Sequence, residues 1–386
     1  MDEEHVFAGM YYIVKGAYFL YTQCVGVPVF VTFHILLLPL RFLHPRLFWT
    51  IDAHLFKAVL GGVTSWFYTE KVVLKETGDS LKEIFHDEAL LMCNHQSTSD
   101  IAVIMQSLHP KGMVTGHMTW IMDHVFRLTH FGWISRLHGD FFLKQPCSTV
   151  EERNEQIGKL REHLTSVYSK TLKKWIVLFP EGGFLCTRKP GSQRYAKKHG
   201  LPVLENVCLP RLGVAKTILD ELAPNAGLSN IKQKSGKLKW VIDMTIAYPN
   251  GEAPNALFLI FSRGEYPPIH VHYRVFDINS VPSDTEGFTK WLYDRYVEKD
   301  AMLEQFYRTG NLEENAVERV EYDVTGIILY VLFYTVWMWW LCIFVYPPVL
   351  SFIGWKSIFL ITVCYIFYFI YDFVKYFLFS VPPSKE

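Results

Sequence analysis

A histidine and an aspartate follow a short apolar run in the first third of the chain. The segment reads LMCNHQSTSD and places His95 five positions before Asp100. A carboxylate that accepts a hydrogen bond from one imidazole nitrogen leaves the other nitrogen free to take a proton. On a regular helix the two side chains would point about 140° apart, so their contact requires a turn between them. The pair therefore indicates either a general base with its orienting acid or a polar cap on a strand-to-helix turn.

Other catalytic routes lack their usual residues in this sequence. It contains no G-x-S-x-G nucleophile elbow, and its seven cysteines are scattered without a C-x-x-C pair. Four histidines spaced six to eight positions apart do not assemble a metal-ligand set: His117, His124, His130 and His138. A base acting directly on a substrate hydroxyl remains, and we expect no metal site.

The composition indicates a membrane-associated chain. Hydrophobic residues make up 50% and aromatic residues 16% of the 386 residues, more than an average soluble domain contains. Lys plus Arg equals Asp plus Glu at 38 each, so the net charge gives no reason to expect a nucleic-acid partner. The odd number of scattered cysteines favours a reducing compartment.

Uncharged apolar segments lie near both ends of the chain. Residues 17–40 and 324–346 contain 24 and 23 residues without a formal charge, and about 20 helical residues cross a bilayer core. After a Pro-Pro pair, residues 349–371 predict the second helix of a hairpin. The run 59–68 is too short to span, so we expect it to lie along the interface or to pair with the first segment. A buried core helix or a helix within one leaflet is the alternative for 17–40.

Positive charge predicts the orientation of the first segment. Arg41, Arg46 and Lys57 follow it and Lys15 precedes it, which favours a luminal amino terminus and a cytosolic central region. The acidic opening MDEEH is unlike a cleaved signal peptide, so we expect a retained anchor. The predicted divisions are an anchor region 1–70, a cytosol-facing domain 71–323 and a C-terminal membrane hairpin 324–386.

Strand and helix patterns alternate in the central region. Apolar runs predict strands at 89–93, 175–179, 206–209, 240–248 and 270–276. Helices are predicted at 100–108, 150–172 and 289–307, and a surface loop at 227–239. This alternation indicates an α/β domain with a mostly parallel sheet flanked by helices. Reactive groups in such sheets gather beyond the carboxyl ends of strands, where His95 and the FPEGG segment fall.

Four short blocks resemble the PlsC-like glycerolipid acyltransferases. NHQSTSD is similar to that family's Asn-His-x-x-x-x-Asp signature, and three further blocks follow in the family's order: GDFFLK (139–144), FPEGG (179–183) and VCLPRLG (207–213). Segments such as HGDFFLKQ and HVHYRVF are close to the lysophosphatidylglycerol acyltransferase subgroup. The resemblance covers most of the chain.

The resemblance implies an activity and its partners. A membrane-bound enzyme of this kind transfers an acyl chain from acyl-coenzyme A to a free glycerol hydroxyl of a lysophospholipid, with no cofactor and no acyl-enzyme. His95, held by Asp100, would remove the hydroxyl proton, and a main-chain amide within 210–212 would hold the oxyanion. By family habit the enzyme is a multi-pass protein of the endoplasmic reticulum membrane with its site facing the cytosol.

The same resemblance implies substrate-binding residues: Asn94, Gly139, Phe142, Lys144, Glu181, Gly182, Gly183 and Pro210. Lys144 stands where the family has arginine and so offers a point charge instead of a bidentate fork. Gly183 and Phe184 replace the family's Thr-Arg, which favours a bulkier phosphodiester head group such as lysophosphatidylglycerol or lysophosphatidylethanolamine. Glu181 would position a lysine or a hydroxyl, or cap a strand end.

Several alternatives stay open from the sequence. Arg188 and Lys189 would either compensate for the missing arginine or form a cationic surface facing anionic lipid. The acceptor would alternatively be 1-acylglycerol 3-phosphate, lysophosphatidylinositol or lysocardiolipin. The chain would otherwise move acyl groups without coenzyme A, or bind lipid without catalysis.

Overall fold

A computed structural model describes residues 3–145, 147, 149–224, 237–262, 266–312 and 318–354. Within these ranges the strands are β1 (Leu74–Gly78), β2 (Glu88–Cys93), β3 (Met118–Asp123), β4 (Phe141–Leu143), β5 (Trp175–Leu178), β6 (Leu238–Ala247), β7 (Ile269–Asp277) and β8 (Glu318–Arg319). They form one sheet in the order β4-β3-β5-β2-β6-β7-β1-β8.

The sheet is mostly parallel, as the sequence predicts. Strands β4, β3, β5, β2 and β6 run parallel to one another, and β1 runs parallel to β7. Only β6 with β7 and β1 with β8 pair in the antiparallel sense among the described strands. The carboxyl ends of β2, β3, β4, β5 and β6 therefore meet at one edge.

The helices surround this sheet. The longer ones are α1 (Glu3–Leu36), α2 (Leu38–Leu43), α3 (Pro45–Thr69), α4 (Ser99–Leu108), α5 (His130–His138), α6 (Val150–Ser166), α7 (Leu185–His199), α8 (Leu212–Leu222), α9 (Ala256–Ile260), α10 (Thr285–Thr309), α11 (Val324–Trp340) and α12 (Tyr346–Ile353). Short 3₁₀ turns connect several of them.

Two apolar cores lie on opposite faces of the sheet. In β2 the side chains of Ala89, Leu91 and Cys93 join the core shared with α3 and α4. Those of Leu90 and Met92 join the core shared with α6, α8 and α10. Alternate residues of a strand point to opposite faces, so an unbroken apolar run is what a strand covered on both sides requires.

The predicted strand at 206–209 is wrong. This segment is irregular, with bends at residues 205–207, and lies outside the sheet. Its amides are taken by side chains: Oδ1 of Asp300 accepts from the amides of Glu205, Asn206 and Val207, and Oγ of Ser192 accepts from the amide of Leu209. The remaining predicted strands and helices are present with shifted ends, except that α6 stops at Ser166. Most of the predicted loop 227–239 lies outside the described residues.

Helix α1 lies antiparallel along α3. Nζ of Lys15 is 2.9 Å from the Glu70 carboxylate at one end of the pair, and Nε2 of His34 is 3.0 Å from Oδ1 of Asp52 at the other. The run 59–68 belongs to α3 and pairs with the first apolar segment, as one of the two predicted arrangements has it. The first half of α1 thus lies beside the residues that lead into β1.

Helix α11 is the second long apolar helix and also packs against α3. The hydroxyl of Tyr334 donates to the Leu55 carbonyl at 3.0 Å. A helical path continues from α11 through a π-helical segment into α12, which includes the Pro-Pro pair and ends before Gly354. The predicted second helix, 349–371, thus does not begin as a separate helix after these prolines. The rest of the predicted hairpin lies outside the described residues. By length and composition alone, Gly9–Leu36 and Val324–Ser351 are candidate membrane spans.

Candidate active site

The turn between β2 and α4 brings His95 and Asp100 together. Nδ1 of His95 and Oδ2 of Asp100 are 2.9 Å apart. Residues 94–98 are not helical, so the separation expected for a continuous helix does not apply. Asp100 lies in the first turn of α4, where the helix dipole favours a negative charge. The structure therefore provides the contact that a base and its orienting acid require.

Asp100 is buried and receives hydrogen bonds at both oxygens. Oδ2 accepts from the amides of Gln96 and Ser97 at 2.6 and 2.9 Å, in addition to the imidazole. Oδ1 accepts from the hydroxyl of Tyr248 at 2.7 Å. These donors fix the carboxylate plane, which in turn fixes the imidazole that it contacts.

The imidazole of His95 lies between two aromatic rings. It stacks on Phe179 with ring centroids 4.0 Å apart and is tilted against Phe184 at 4.3 Å. Its side chain is 12% exposed, and Nε2 has no hydrogen-bond partner among the described residues. Nδ1 faces Asp100, so the tautomer protonated at Nδ1 leaves the Nε2 lone pair free to take a proton.

Asn94 and the serines after His95 tie the turn to neighbouring segments. The Asn94 side chain exchanges two hydrogen bonds with the main chain of Ile246, at 2.9 and 2.8 Å, which continues the pairing of β2 with β6. The hydroxyls of Ser97 and Ser99 both donate to the Pro254 carbonyl. Asn94 is fully buried, so its side chain holds the turn in place and is not exposed to solvent.

Glu181 joins three of the four sequence blocks. Its Oε1 accepts from the His95 amide at 3.0 Å, and its Oε2 accepts from the Cys208 amide at 2.9 Å. Burial raises the pKa of Glu181 to about 8, against the opposing effect of the two amide donors. No lysine or hydroxyl donates a hydrogen bond to Glu181 within the described ranges. The carboxyl therefore clamps main-chain segments, which corrects the expected partner of this residue.

A glycine turn after β5 faces two arginines. Gly182 and Gly183 have φ values of +71° and +150°. A Cβ atom on Gly183 would lie 2.7 Å from Nε of Arg188, and one on Gly182 would lie 3.2 Å from Nε of Arg211. The positive φ values favour glycine at both positions, and a Cβ atom there would displace the arginine side chains.

The structure disperses the other predicted binding residues. Gly139 ends α5 in the left-handed conformation with φ +91° and precedes β4, so it lies at the edge opposite His95. Phe142 lies within β4, and Lys144 follows it at the same edge as His95 with an exposed side chain. Pro210 lies between two residues whose amides bind the third block. The Cys208 amide donates to Glu181, and the Arg211 amide donates to the Pro180 carbonyl at 2.7 Å.

Sequence reasoning missed Tyr248 and assigned Arg211 no role. Tyr248 follows the carboxyl end of β6, so the rule that pointed to His95 could have found it. Arg211 directly follows Pro210 in the fourth block, and only the fold brings its side chain to the glycine turn.

The chain is similar to known acyltransferases. Residues 73–207 match the family described as acyltransferase, and residues 260–338 match the one described as acyltransferase C-terminus. Human acyl-CoA:lysophosphatidylglycerol acyltransferase 1 is 41% identical over 306 residues, 77% of this chain and 82% of the relative. A putative 1-acyl-sn-glycerol-3-phosphate acyltransferase of Caenorhabditis elegans is 29% identical over 341 residues, 85% of this chain and 86% of the relative.

A crystal structure of the 1-acyl-sn-glycerophosphate acyltransferase PlsC from Thermotoga maritima is 16% identical. It aligns over 75% of this chain and 97% of that one with a TM-score of 0.34, a value too low to bear on the fold. On sequence, the chain belongs to the PlsC-like glycerolipid acyltransferase family. It lies near the lysophosphatidylglycerol acyltransferase subgroup and is an O-acyltransferase.

Proposed function

We propose that this protein transfers a fatty acyl chain from acyl-coenzyme A to a free glycerol hydroxyl of a lysophospholipid, with lysophosphatidylglycerol or a related lyso-phosphodiester as acceptor. The observation that carries the proposal is the contact between His95 and Asp100, with Nε2 of His95 left unpaired within the described residues. Relatives named for lysophosphatidylglycerol support the acceptor.

In the proposed reaction His95 is the general base and Asp100 orients it. Nε2 takes the proton of the acceptor hydroxyl, and that oxygen attacks the thioester carbonyl of acyl-coenzyme A. The tetrahedral intermediate collapses with loss of the coenzyme A thiolate, which takes the proton back from the imidazolium. An ester bond forms and a thioester bond breaks, so no acyl-enzyme and no cofactor are needed.

The amide of Leu212 is our candidate donor to the oxyanion. Pro210 has no amide proton, and the Arg211 amide donates to the Pro180 carbonyl. Leu212 is the first residue of α8, and amides in the first turn of a helix have no acceptor within it. Within residues 210–212, where the sequence placed the oxyanion donor, the Leu212 amide is therefore the one that can donate to an oxyanion.

The proposed setting is the endoplasmic reticulum membrane, with more than one membrane segment and the active site facing the cytosol. The proposed units are the anchor region 1–70, the domain 71–323 and the C-terminal region 324–386. Helices α1 and α3 pack antiparallel. We therefore propose that α1 enters the membrane from the cytosolic face and α3 returns to that face, so that the amino terminus is also cytosolic. The test is protease digestion of sealed microsomes that contain the protein with a tag at its amino terminus. Cleavage of the tag would support a cytosolic amino terminus, and protection of the tag would contradict it.

An acyl-coenzyme A assay with isolated membranes tests the proposed function. Free thiol release is followed with and without a panel of acceptors: lysophosphatidylglycerol, lysophosphatidylethanolamine, lysophosphatidylinositol, lysocardiolipin and 1-acylglycerol 3-phosphate. We expect release that depends on the acceptor and is fastest with a phosphodiester. Equal release without any acceptor would indicate hydrolysis, and the absence of release with every acceptor would contradict the proposal.

A further inference from the structure

Two arginines from separate elements converge beside the catalytic histidine. Arg188 lies in the first turns of α7, and Arg211 precedes α8. Their Nε atoms would lie 2.7 and 3.2 Å from Cβ atoms placed on Gly183 and Gly182. This glycine turn lies in the chain between Phe179 and Phe184, whose rings contact the His95 imidazole. The guanidinium groups are therefore next to the proposed reaction centre.

Neither guanidinium is neutralised within the part of the chain that the structure describes. Arg211 hydrogen-bonds to the neutral amide oxygen of Gln145 at 3.2 Å, and no carboxylate pairs with Arg188 there. The adjacent Lys189, in contrast, is 2.8 Å from the Glu205 carboxylate. Burial, together with the positive charges of Arg188 and Arg153, lowers the pKa of Arg211. An anion that enters this turn would relieve that repulsion.

Lys144 is less well suited to the same task. Its side chain is exposed, as that of Arg211 also is, and its amide donates to Oε1 of Gln156 in α6. A lysine offers one point charge, whereas each guanidinium offers parallel donors that match phosphate oxygens. The family has an arginine in the second block where this chain has Lys144. Arg188 in α7 and Arg211 in the fourth block supply guanidinium donors instead.

We propose that Arg188 and Arg211, with Gln145, bind the phosphate group of a substrate, and that this group is the phosphodiester of the lysophospholipid acceptor. The inference rests on the proposed function, since it names the part of the acceptor that this site recognises. The phosphates of acyl-coenzyme A have the same chemistry and are the other possible source.

Steady-state kinetics of the purified full-length protein test the inference. The variants are Arg188→Gln and Arg211→Gln, with Arg211→Lys to keep the charge without the fork. The matched control is Arg194→Gln, an exposed arginine further along α7. Lysophosphatidylglycerol is varied at fixed acyl-coenzyme A, acyl-coenzyme A is varied at fixed acceptor, and uncharged monoacylglycerol replaces the phospholipid in a third series. Melting temperatures identify variants that fail to fold.

We expect the KM for lysophosphatidylglycerol to rise about tenfold or more in each glutamine variant, with kcat changed less and the control unaffected. Arg211→Lys should recover part of the loss, and the rate with monoacylglycerol should not change. A rise in the KM for acyl-coenzyme A alone would keep the phosphate site and assign it to the donor. Unchanged KM values for both substrates in folded, active variants would overturn the inference. An inactive parent protein would instead contradict the proposed function.

Discussion

The hydroxyl of Tyr248 donates a hydrogen bond to Oδ1 of Asp100 at 2.7 Å. The other carboxylate oxygen, Oδ2, accepts from Nδ1 of His95 at 2.9 Å. Tyr248 follows β6 and Asp100 lies in the first turn of α4, so two segments far apart in the sequence hold one proton-transfer pair. The orientation of the proposed base thus depends on the packing of the sheet as well as on the local turn.

Replacing Tyr248 by phenylalanine should weaken catalysis more than it weakens the fold. Tyr248→Phe keeps the ring and leaves a buried carboxylate oxygen without its donor, which costs about 1–3 kcal/mol. We expect kcat to fall about tenfold with little change in KM, because the imidazole is held less firmly. Tyr195→Phe, at a half-exposed tyrosine on α7, is the control and should leave kcat unchanged. A wild-type kcat in Tyr248→Phe would remove this contact from the mechanism.

Glu181 should prove to be a clamp and not a substrate ligand. In the parent protein the two carboxyl oxygens of Glu181 accept hydrogen bonds from the amides of His95 and Cys208. In Glu181→Gln an NH₂ group replaces one of these oxygens, so one amide loses its acceptor. We expect a lower melting temperature and a kcat reduced about tenfold or more, because His95 moves relative to the fourth block. Glu205→Gln, at an exposed site, should change neither. A change confined to the KM for the acceptor would show that Glu181 contacts substrate instead.

A buried charge cluster joins α3 to the amino ends of β3 and β5. Asp52 lies 2.8 Å from Nδ1 of His138 and 2.9 Å from Nζ of Lys173. The side chains of Asp52 and Lys173 are both buried. Asp52→Asn leaves Lys173 without its partner, and removing one member of a buried pair costs about 3–5 kcal/mol.

The melting temperature in detergent checks the expected loss in Asp52→Asn. Asp294→Asn breaks an exposed pair with Lys290 on α10 and should cost less than about 0.5 kcal/mol. Equal melting temperatures for these two variants would show that the cluster contributes no more than a surface pair.

Stability should fall on mild acidification in part through His163. Burial lowers the pKa of this histidine to about 4, whereas the pKa of an unfolded histidine is near its ordinary value of 6.5. Between these values the unfolded chain binds a proton that the folded chain does not, so the free energy of unfolding falls as the pH falls.

The comparison of parent and variant isolates this contribution. From pH 7 to pH 5 the parent should lose roughly 1–2 kcal/mol through His163 that His163→Gln does not lose. Melting temperatures at the two pH values measure the difference, with the exposed His199→Gln as control. Identical pH dependence in parent and His163→Gln would contradict the assignment.

The sequence predicts the features that depend on local pattern. Strands β2, β5, β6 and β7 could be predicted because both their faces are buried, which leaves long apolar runs. The run 206–209 looks the same but is not a strand, because Asp300, Glu181 and Ser192 take its amides. A sequence does not show which distant side chain will reach a given amide.

The candidate site divides in the same way. The spacing of His95 and Asp100 left a catalytic pair and a polar cap open, the family resemblance implied the pair, and the turn between them brings the two side chains into contact. The partners of Glu181 and the approach of Arg188 and Arg211 to the glycine turn depend on contacts between separate elements. Gly139 was expected in the site only because it belongs to the second block. The structure gives another reason for a glycine at this position, since the residue ends α5 in the left-handed conformation.

The most direct test of the central claim is the kcat/KM of purified His95→Ala with acyl-coenzyme A and the preferred lysophospholipid. If the imidazole removes the acceptor proton, kcat/KM should fall by about 10²–10⁴ while expression, membrane insertion and melting temperature stay at parental values. Retention of parental kcat/KM by the folded variant would contradict the account.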